Sequence, residues 1–238
     1  MAYILTVLSN YFFIVPTVTA FFKEYRWTRG CIYIAIMVFS SMYHVCNSFE
    51  GMCVFDAHFH RQLDFFFAQF VIPATALYII IFPRNCLFLE RFLFIAFAIG
   101  IVLIQVTAGE VFTAQLVLVA AAFALILVYW IAYATWKWGS QKQRPSLPDY
   151  DWENFYWGIA LTAIASSLFA TESQNPSFRW AIHSLWHALA ALGQHFLLQI
   201  RPPAPRYANM DALIHNRVVS KWAHREMQLT HHTPIART

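Results

Sequence analysis

Three histidines and one aspartate lie in or beside strongly apolar segments, where ionisable side chains are rare. They are His44, Asp64, His183 and His187. Because polar and charged groups are costly inside lipid, an ionisable residue in a membrane segment is a functional candidate by default. Imidazole is a common zinc ligand, and hydrolytic zinc sites typically use three protein ligands and one open position. The residue types therefore indicate a metal centre.

The spacing of these residues supports the same interpretation. His183 and His187 are four residues apart, so they share a helix face and can offer two imidazoles to one ion. Ser40 and His44 have the same spacing. We predict His44, His183 and His187 as zinc ligands and Asp64 as the general base or water-orienting group. Ser40 is predicted to donate a hydrogen bond to the water or to a developing oxyanion.

Each candidate also has a purely structural interpretation. His44 could hydrogen-bond a neighbouring helix, and Asp64 could be a charge in the first turn of its helix, where the macrodipole favours an acid. Ser40 could bond back to its own helix. His195 lies deeper along the last apolar segment and is interpreted as structural.

The composition is that of a membrane protein. Of 238 residues, 59% are hydrophobic and 12% are charged, against about 25% charged in an average chain. Seven apolar runs can be counted, several of them about twenty residues long, which fits a bilayer core of about 30 Å, and the fourth run is the shortest. The first run lacks the basic residues that begin a secretory signal peptide, so it is interpreted as a helix that stays in the mature protein. The runs are Tyr3–Phe22, Gly30–Cys46, Gln62–Phe82, Phe92–Val106, Val111–Thr135, Phe155–Ala170 and Trp180–Ile200.

These runs predict an all-α fold, a bundle of seven transmembrane helices over residues 1–200. Residues 201–238 are predicted to form a tail that is partly disordered or amphipathic. Of the 16 Lys and Arg residues, all but Arg61 and Arg179 fall on one side, which leaves 14 against 2. By the positive-inside rule the N-terminus is outside or lumenal and the C-terminus is cytoplasmic. The net charge of +4 thus reflects topology, and no nucleic-acid partner is implied.

This topology places the four ionisable residues of the candidate site near the outer face, although none of them entered the charge count. The loop after the second run lies on the same side, where Cys46 and Cys53 face an oxidising compartment that favours a disulfide. Two free thiols are the alternative. His58 and His60 are expected in this loop, either solvated or at the entrance to the site.

The ordered set of residues resembles the CREST superfamily of membrane proteins. The elements that carry the resemblance are Ser40-x-x-x-His44, then Asp64, then His183-x-x-x-His187. Local sequence is most similar to the transmembrane-protein-8/myomaker family, in Phe39-Ser-Ser-Met-Tyr-His44-Val-Cys46, Leu63-Asp64-Phe65 and His183-Ser-Leu-Trp-His187. The resemblance covers nearly the whole chain in order and spacing.

The resemblance implies a seven-helix fold with one zinc held by His44, His183 and His187 near one membrane face, and Asp64 and Ser40 beside it. Some members of the superfamily are lipid hydrolases that cleave esters or amides, and another branch is a cell-fusion protein. The chain differs from the longer members in lacking a large extracellular region. It also lacks the acidic N-terminal segment of alkaline ceramidases and a cysteine cluster in the tail.

Two hypotheses follow, with a seven-helix receptor as a weaker third. The first is a zinc-dependent hydrolase acting on a membrane lipid ester or amide of the GPI or phospholipid kind. The second is a fusion protein of the myomaker type with a structural zinc site, working as a homodimer. Both place the chain as an integral protein of the plasma membrane, the Golgi or the endoplasmic reticulum, with a lipid as substrate or bound partner.

Overall fold

Helices account for the secondary structure of the computed structural model, which describes residues 2–23, 27–49, 53–82, 86–108, 112–142, 144–174 and 176–201. Within those ranges there is no strand, so the predicted all-α class is confirmed. The predicted tail falls outside the described residues. The α-helices are α1 Ala2–Ser9, α2 Ile14–Val18, α3 Trp27–Ser48, α4 Ala57–Ile79, α5 Leu87–Ala108, α6 Phe112–Gln141, α7 Trp152–Thr171 and α8 Arg179–Leu197.

The first apolar run is an interrupted helix. Between α1 and α2 the chain forms a 3₁₀ segment, Asn10–Phe13, and after α2 it forms a π segment, Thr19–Lys23. Pro16 lies inside α2 and lacks the N–H that a regular helix needs at that position. Ser9 also diverts a backbone acceptor, because its hydroxyl donates to Thr6 O at 2.7 Å. The irregular turn leaves Ser9 and Asn10 buried in the bundle.

Five helices in the described residues are long and apolar enough to cross a bilayer. α7 and α8 have a similar length but do not reach the same hydropathy, α8 because it carries three histidines. The chain is therefore an integral membrane protein by the character of its helices. The five candidate spans are Ile4–Phe22, Trp27–Ser48, Ala57–Ile79, Phe88–Thr107 and Val117–Ser140.

Large apolar side chains on α5 and α6 face outward. Phe88 and Val106 on α5 are 80% and 79% exposed, and Ile131 on α6 is 66% exposed. A soluble monomer rarely shows an apolar surface of this extent. In a bilayer the same surface faces acyl chains at no cost, which is consistent with the composition.

A network of hydrogen bonds joins α4 to α8 in parallel register. Thr75 and Gln194 are bonded with a sequence separation of 119, and Tyr78 bonds to Leu198 O at 2.6 Å with a separation of 120. A parallel pair with this offset places Asp64, near the start of α4, at the level of His183 near the start of α8. The hydrogen bonds between the C-terminal halves of α4 and α8 therefore determine which residues of the two helices lie side by side at the candidate site.

The last two helices pack closely because glycine lies at their contact. A Cβ added at Gly193 of α8 would lie 2.6 Å from Thr162 Oγ1 and 3.1 Å from the Gly158 carbonyl oxygen of α7. Small residues of this kind let membrane helices approach each other. α8, which carries two of the candidate ligands, is held by this contact on one side and packs against α1 and the 3₁₀ segment Asn10–Phe13 on another.

Replacing Gly193 with alanine should lower the melting temperature of the purified protein. The new methyl group meets backbone atoms of α7 that cannot move aside, and such overpacking costs about 1–3 kcal/mol. Gly100→Ala is the matched control, because its Cβ would meet nothing within 4 Å and alanine favours helix. Equal melting temperatures for the two variants in a thermal-shift assay would contradict the close packing of α7 and α8.

Candidate metal centre

The three predicted histidine ligands lie together in the structure. His44 comes from the last turns of α3, and His183 and His187 come from the first half of α8. One nitrogen from each ring lies within 4.8 Å of the others, and Nε2 of His44 is 3.0 Å from Nε2 of His183. Zinc–nitrogen bonds of about 2.0–2.1 Å in a tetrahedron separate ligand nitrogens by about 3.4 Å. The cluster therefore fits a metal ion of this size.

The far nitrogen of His187 is bound by a serine. Ser9 Oγ lies 2.9 Å from His187 Nδ1 and already donates its own proton to Thr6 O at 2.7 Å. Ser9 must therefore accept from His187, which puts the ring proton on Nδ1. The tautomer leaves the Nε2 lone pair free for a cation, as in metal sites where the second ring nitrogen is hydrogen-bonded.

The far nitrogen of His183 is bound by a carboxylate. Glu172, in a short 3₁₀ turn after α7, places Oε2 2.8 Å from His183 Nδ1 and accepts from Arg179 Nε through Oε1 at 2.7 Å. Burial by itself would raise the pKa of Glu172. The hydrogen bonds and charges of His183 and Arg179 outweigh it and hold the pKa below its usual range. Glu172 therefore stays ionised and orients the ring of His183.

The short contact between His44 and His183 constrains what lies between them. With Nδ1 of His183 donating to Glu172, its Nε2 is an acceptor unless the ring carries an extra proton. His44 Nε2 lies 3.0 Å away, where it donates to His183 Nε2 if it carries a proton, whereas two nitrogens without a proton would repel each other. The contact therefore needs a proton shared between the rings or a cation that binds both, and the nearby His187 supplies a third donor atom for a cation.

Asp64 and Ser40 lie beside the histidines. Ser40 is one turn below His44 on α3 and is 1% exposed, and Asp64 faces it from α4. The Asp64 carboxylate interacts electrostatically with His183 and with the Ser40 hydroxyl. Ser40 Oγ nevertheless makes no hydrogen bond of good geometry with any described group. The Ser40 hydroxyl is therefore buried beside the Asp64 carboxylate, one helical turn from His44.

Two expectations about α4 are corrected by the structure. The helix begins at Ala57, five residues before the predicted apolar run, so Asp64 lies in the third turn and no acid lies in the first turn. The interpretation of Asp64 as a helix N-terminal charge is therefore wrong. His60 is not in the outer loop but inside α4, 1% exposed, with its Nε2 accepting from Phe55 N at 3.3 Å. Hydropathy marks where lipid begins, whereas a helix can start in the polar layer above it.

His58 also belongs to α4 but is exposed. His195 lies away from the cluster, between Thr19 Oγ1 at 2.8 Å and Gln199 Nε2 at 3.0 Å. These contacts agree with the structural role expected for it.

The disulfide expected between Cys46 and Cys53 is present in the structure. Cys46 and Cys53 are bridged with Cα atoms 4.7 Å apart, two residues beyond His44. The bridge joins the end of α3 to the segment that leads into α4. It therefore restrains both the helix that carries His44 and the helix that carries Asp64.

The sequence did not indicate three residues that contact the cluster or its ligands. They are Ser9, Glu172 and Arg179. Glu172 precedes His183 by eleven residues across a break between helices, and no helical periodicity relates them. Ser9 comes from the opposite end of the chain. Arg179 entered the sequence analysis only through the charge count that set the predicted orientation.

One comparison with known proteins assigns a family. Residues 1–188 match a family described as "Protein of unknown function (DUF3522)". The matched region contains all three histidines of the cluster together with Ser40, Asp64 and Glu172. No curated protein matches the chain.

Replacing Glu172 with glutamine should lower the zinc affinity of the purified protein by about 10–100-fold, as removal of a ligand's hydrogen-bond partner typically does. The amide loses the negative charge that holds His183 and Arg179 together. Chelator competition measures the affinity, and Glu153→Gln, an exposed carboxylate on α7, is the control. An unchanged affinity in Glu172→Gln would show that His183 does not depend on this contact.

Replacing Cys53 with serine should destabilise the protein by about 2–3 kcal/mol, because the bridge closes a short loop whose entropy the unfolded chain regains. Thermal-shift measurement follows the stability, and thiol labelling should detect Cys46 as newly reactive. Cys31→Ser removes a free, exposed thiol and serves as the control. Labelling of Cys46 in the oxidised wild type would reject the bridge.

Proposed function

Since the chain belongs to the DUF3522 family, whose description names no activity, we propose a function from the site: this is a zinc-dependent membrane hydrolase that cleaves a lipid ester or amide of the GPI or phospholipid kind. The observation that carries the proposal is the combination of three converging imidazoles with an acid and a buried serine hydroxyl beside them. A metal that only staples helices together needs the imidazoles alone.

The same proposal includes the topology. We propose seven membrane helices, the first formed by the interrupted Ala2–Lys23 segment, with the N-terminus outside or lumenal and the C-terminus cytoplasmic. The excess of 14 Lys and Arg residues over 2 supports this orientation. Under it the metal centre faces the outer leaflet, and the membrane is the plasma membrane, the Golgi or the endoplasmic reticulum.

The depth of the site suits a lipid ester. His183 and His187 are the fifth and ninth residues of α8, which places them about 6 and 12 Å below the helix start at 1.5 Å per residue. The headgroup layer is about 5–8 Å thick on each side of the hydrocarbon core. For an α8 that begins at the outer edge of the headgroup layer, as proposed, these depths place the imidazoles near the boundary where the ester carbonyls of a lipid are found.

A bound zinc would polarise the lipid carbonyl and lower the pKa of a water to about 7. His44, His183 and His187 would hold the ion, and Glu172 and Ser9 keep two of these rings in the metal-binding tautomer. The carboxylate of Asp64 accepts a proton from the attacking water and returns it to the leaving oxygen or nitrogen as the bond to the acyl carbon breaks. Ser40 Oγ donates to the oxygen that gains charge.

A fusion protein with a structural zinc is the second candidate. It is favoured by one observation: the contact of His44 with His183 links α3 directly to α8, so a metal there would close the bundle without any reaction. In this function the protein acts in the plasma membrane, as a homodimer. Asp64 separates the two candidates, because a structural metal does not need it.

Zinc content is the first test. Wild-type protein should carry about one zinc per chain by mass spectrometry, and His187→Ala should lose it together with thermal stability. His58→Ala, which removes an exposed histidine of α4, should keep the zinc. A well-folded wild type without metal would refute the zinc centre.

Asp64→Asn should keep the zinc and lower the rate of lipid hydrolysis by about 10²–10⁴-fold, the usual contribution of a general base. The measurement is release of fatty acid from GPI, phospholipid and ceramide pools by zinc-loaded protein. If the wild type turns over none of these pools, and both Asp64→Asn and wild type promote multinucleation of fusion-incompetent cells, the fusion function replaces the hydrolase.

A further inference from the structure

A single arginine lies directly above the histidine cluster on the outer side. Arg179, His183 and His187 follow one another at intervals of four residues, so they form one row along α8. Four residues correspond to about 6 Å along a helix, which places the guanidinium one turn above the first ligand. Arg179 also interacts electrostatically with Tyr43 and His44 of α3. It therefore lies at the outer mouth of the metal centre.

The guanidinium is held in place by one nitrogen and presents the others. Nε donates to Glu172 Oε1 at 2.7 Å, whereas the Arg179 side chain is 70% exposed. A flexible surface cation would lose entropy on binding an anion. Here the buried carboxylate of Glu172 has already fixed the stem, so the two terminal NH₂ groups are preorganised in the fork geometry that matches phosphate oxygens.

The charge balance at the mouth also favours an anion. With a divalent metal bound to the histidines, the metal and Arg179 would supply three positive charges against the two negative charges of Glu172 and Asp64, which would leave one positive charge in excess. The outer side has few cations, since only Arg61 and Arg179 lie there against 14 on the other side. A lipid phosphate in the headgroup layer is the anion that a membrane always presents at this depth.

We propose that Arg179 binds the phosphate of a glycerolipid headgroup and so positions the lipid ester below it at the metal centre. This assignment rests on the proposed function for its second half and narrows the substrate to phosphate-bearing lipids. In such lipids only a few covalent bonds separate the phosphorus from the nearest ester carbonyl. A phosphate on Arg179 therefore leaves that carbonyl about one helical turn lower, at the level of His183 and His187.

Binding of two lipids that differ only in the phosphate tests this proposal. Phosphatidic acid and diacylglycerol with identical acyl chains are titrated onto the zinc-loaded full chain in nanodiscs, with bound lipid counted by native mass spectrometry. Wild type should prefer phosphatidic acid. Arg179→Gln should lower that affinity about tenfold, as loss of a charge-assisted hydrogen bond does, and should leave diacylglycerol binding unchanged. Arg179→Lys should retain part of the preference.

Arg61→Gln is the matched control, because it removes the other outer-side cation, whose guanidinium lies over the Phe65 ring at 5.7 Å. It should behave as wild type. Equal loss of both lipids in Arg179→Gln, or equal loss of phosphatidic acid in Arg61→Gln, would overturn the assignment, because the effect would then be structural or a general property of charge. Displacement of the lipid by an equal concentration of inorganic phosphate would assign the site to free phosphate instead.

Failure of this inference is distinguishable from failure of the hydrolase. Zinc content and fatty-acid release are measured on the same samples. Turnover with zinc but without a preference for phosphatidic acid would overturn only the role of Arg179. A phosphate preference that depends on Arg179, in protein without turnover, would support the lipid site and refute the hydrolase.

Discussion

The structure depends on one constraint: the imidazole nitrogens of His44, His183 and His187 lie inside an apolar helix bundle and need polar partners there. An imidazole buried among membrane helices must have both ring nitrogens satisfied, because an unpaired polar group in such a place is costly. His187 has Ser9 on one nitrogen, and His183 has Glu172 on one nitrogen. The remaining nitrogens point at one another and at His44, so the bundle is arranged around a point that a cation can satisfy.

The rest of the helical packing keeps that point in place. α8 carries three histidines and packs against α1, the 3₁₀ segment Asn10–Phe13 and α7, with Gly193 allowing α7 to approach. At the opposite end, Tyr78 binds Leu198 O and Tyr150 binds Ile79 O, both at 2.6 Å. The first bond ties the end of α4 to the end of α8, and the second ties the end of α4 to the segment before α7. A fixed register at the far end carries over to the site, because helices transmit displacement along their axes with little bending.

At the end of the bundle that carries the histidine cluster, a disulfide and an ion pair add to the helix packing. The bridge between Cys46 and Cys53 restrains the connection from α3 to α4. The pair of Glu172 and Arg179 restrains the connection from α7 to α8 and reaches His183 directly. Because Glu172 contacts a histidine with one oxygen and an exposed arginine with the other, the charge at the surface and the orientation of the ring are mechanically linked.

Sequence alone was enough to predict the all-α class, the membrane character and which three histidines lie together. Each of these rests on a local quantity: apolar run length, charge density, or residue spacing within one helix. The pairing of His183 with His187 is of this kind, since four residues always share a face. The start of α4 was misjudged, because the polar stretch before Gln62 is helical although it is not apolar.

Only the tertiary structure decided which distant residues complete the site. Ser9 and Glu172 reach the histidines from separate segments, and their contacts depend on a helix interruption and a short turn that no periodicity encodes. The level of Asp64 beside His183 depends on the parallel register of α4 and α8, which is set by bonds near Thr75 and Gln194. Spacing within a helix can be derived from sequence, whereas offset between helices is settled by packing.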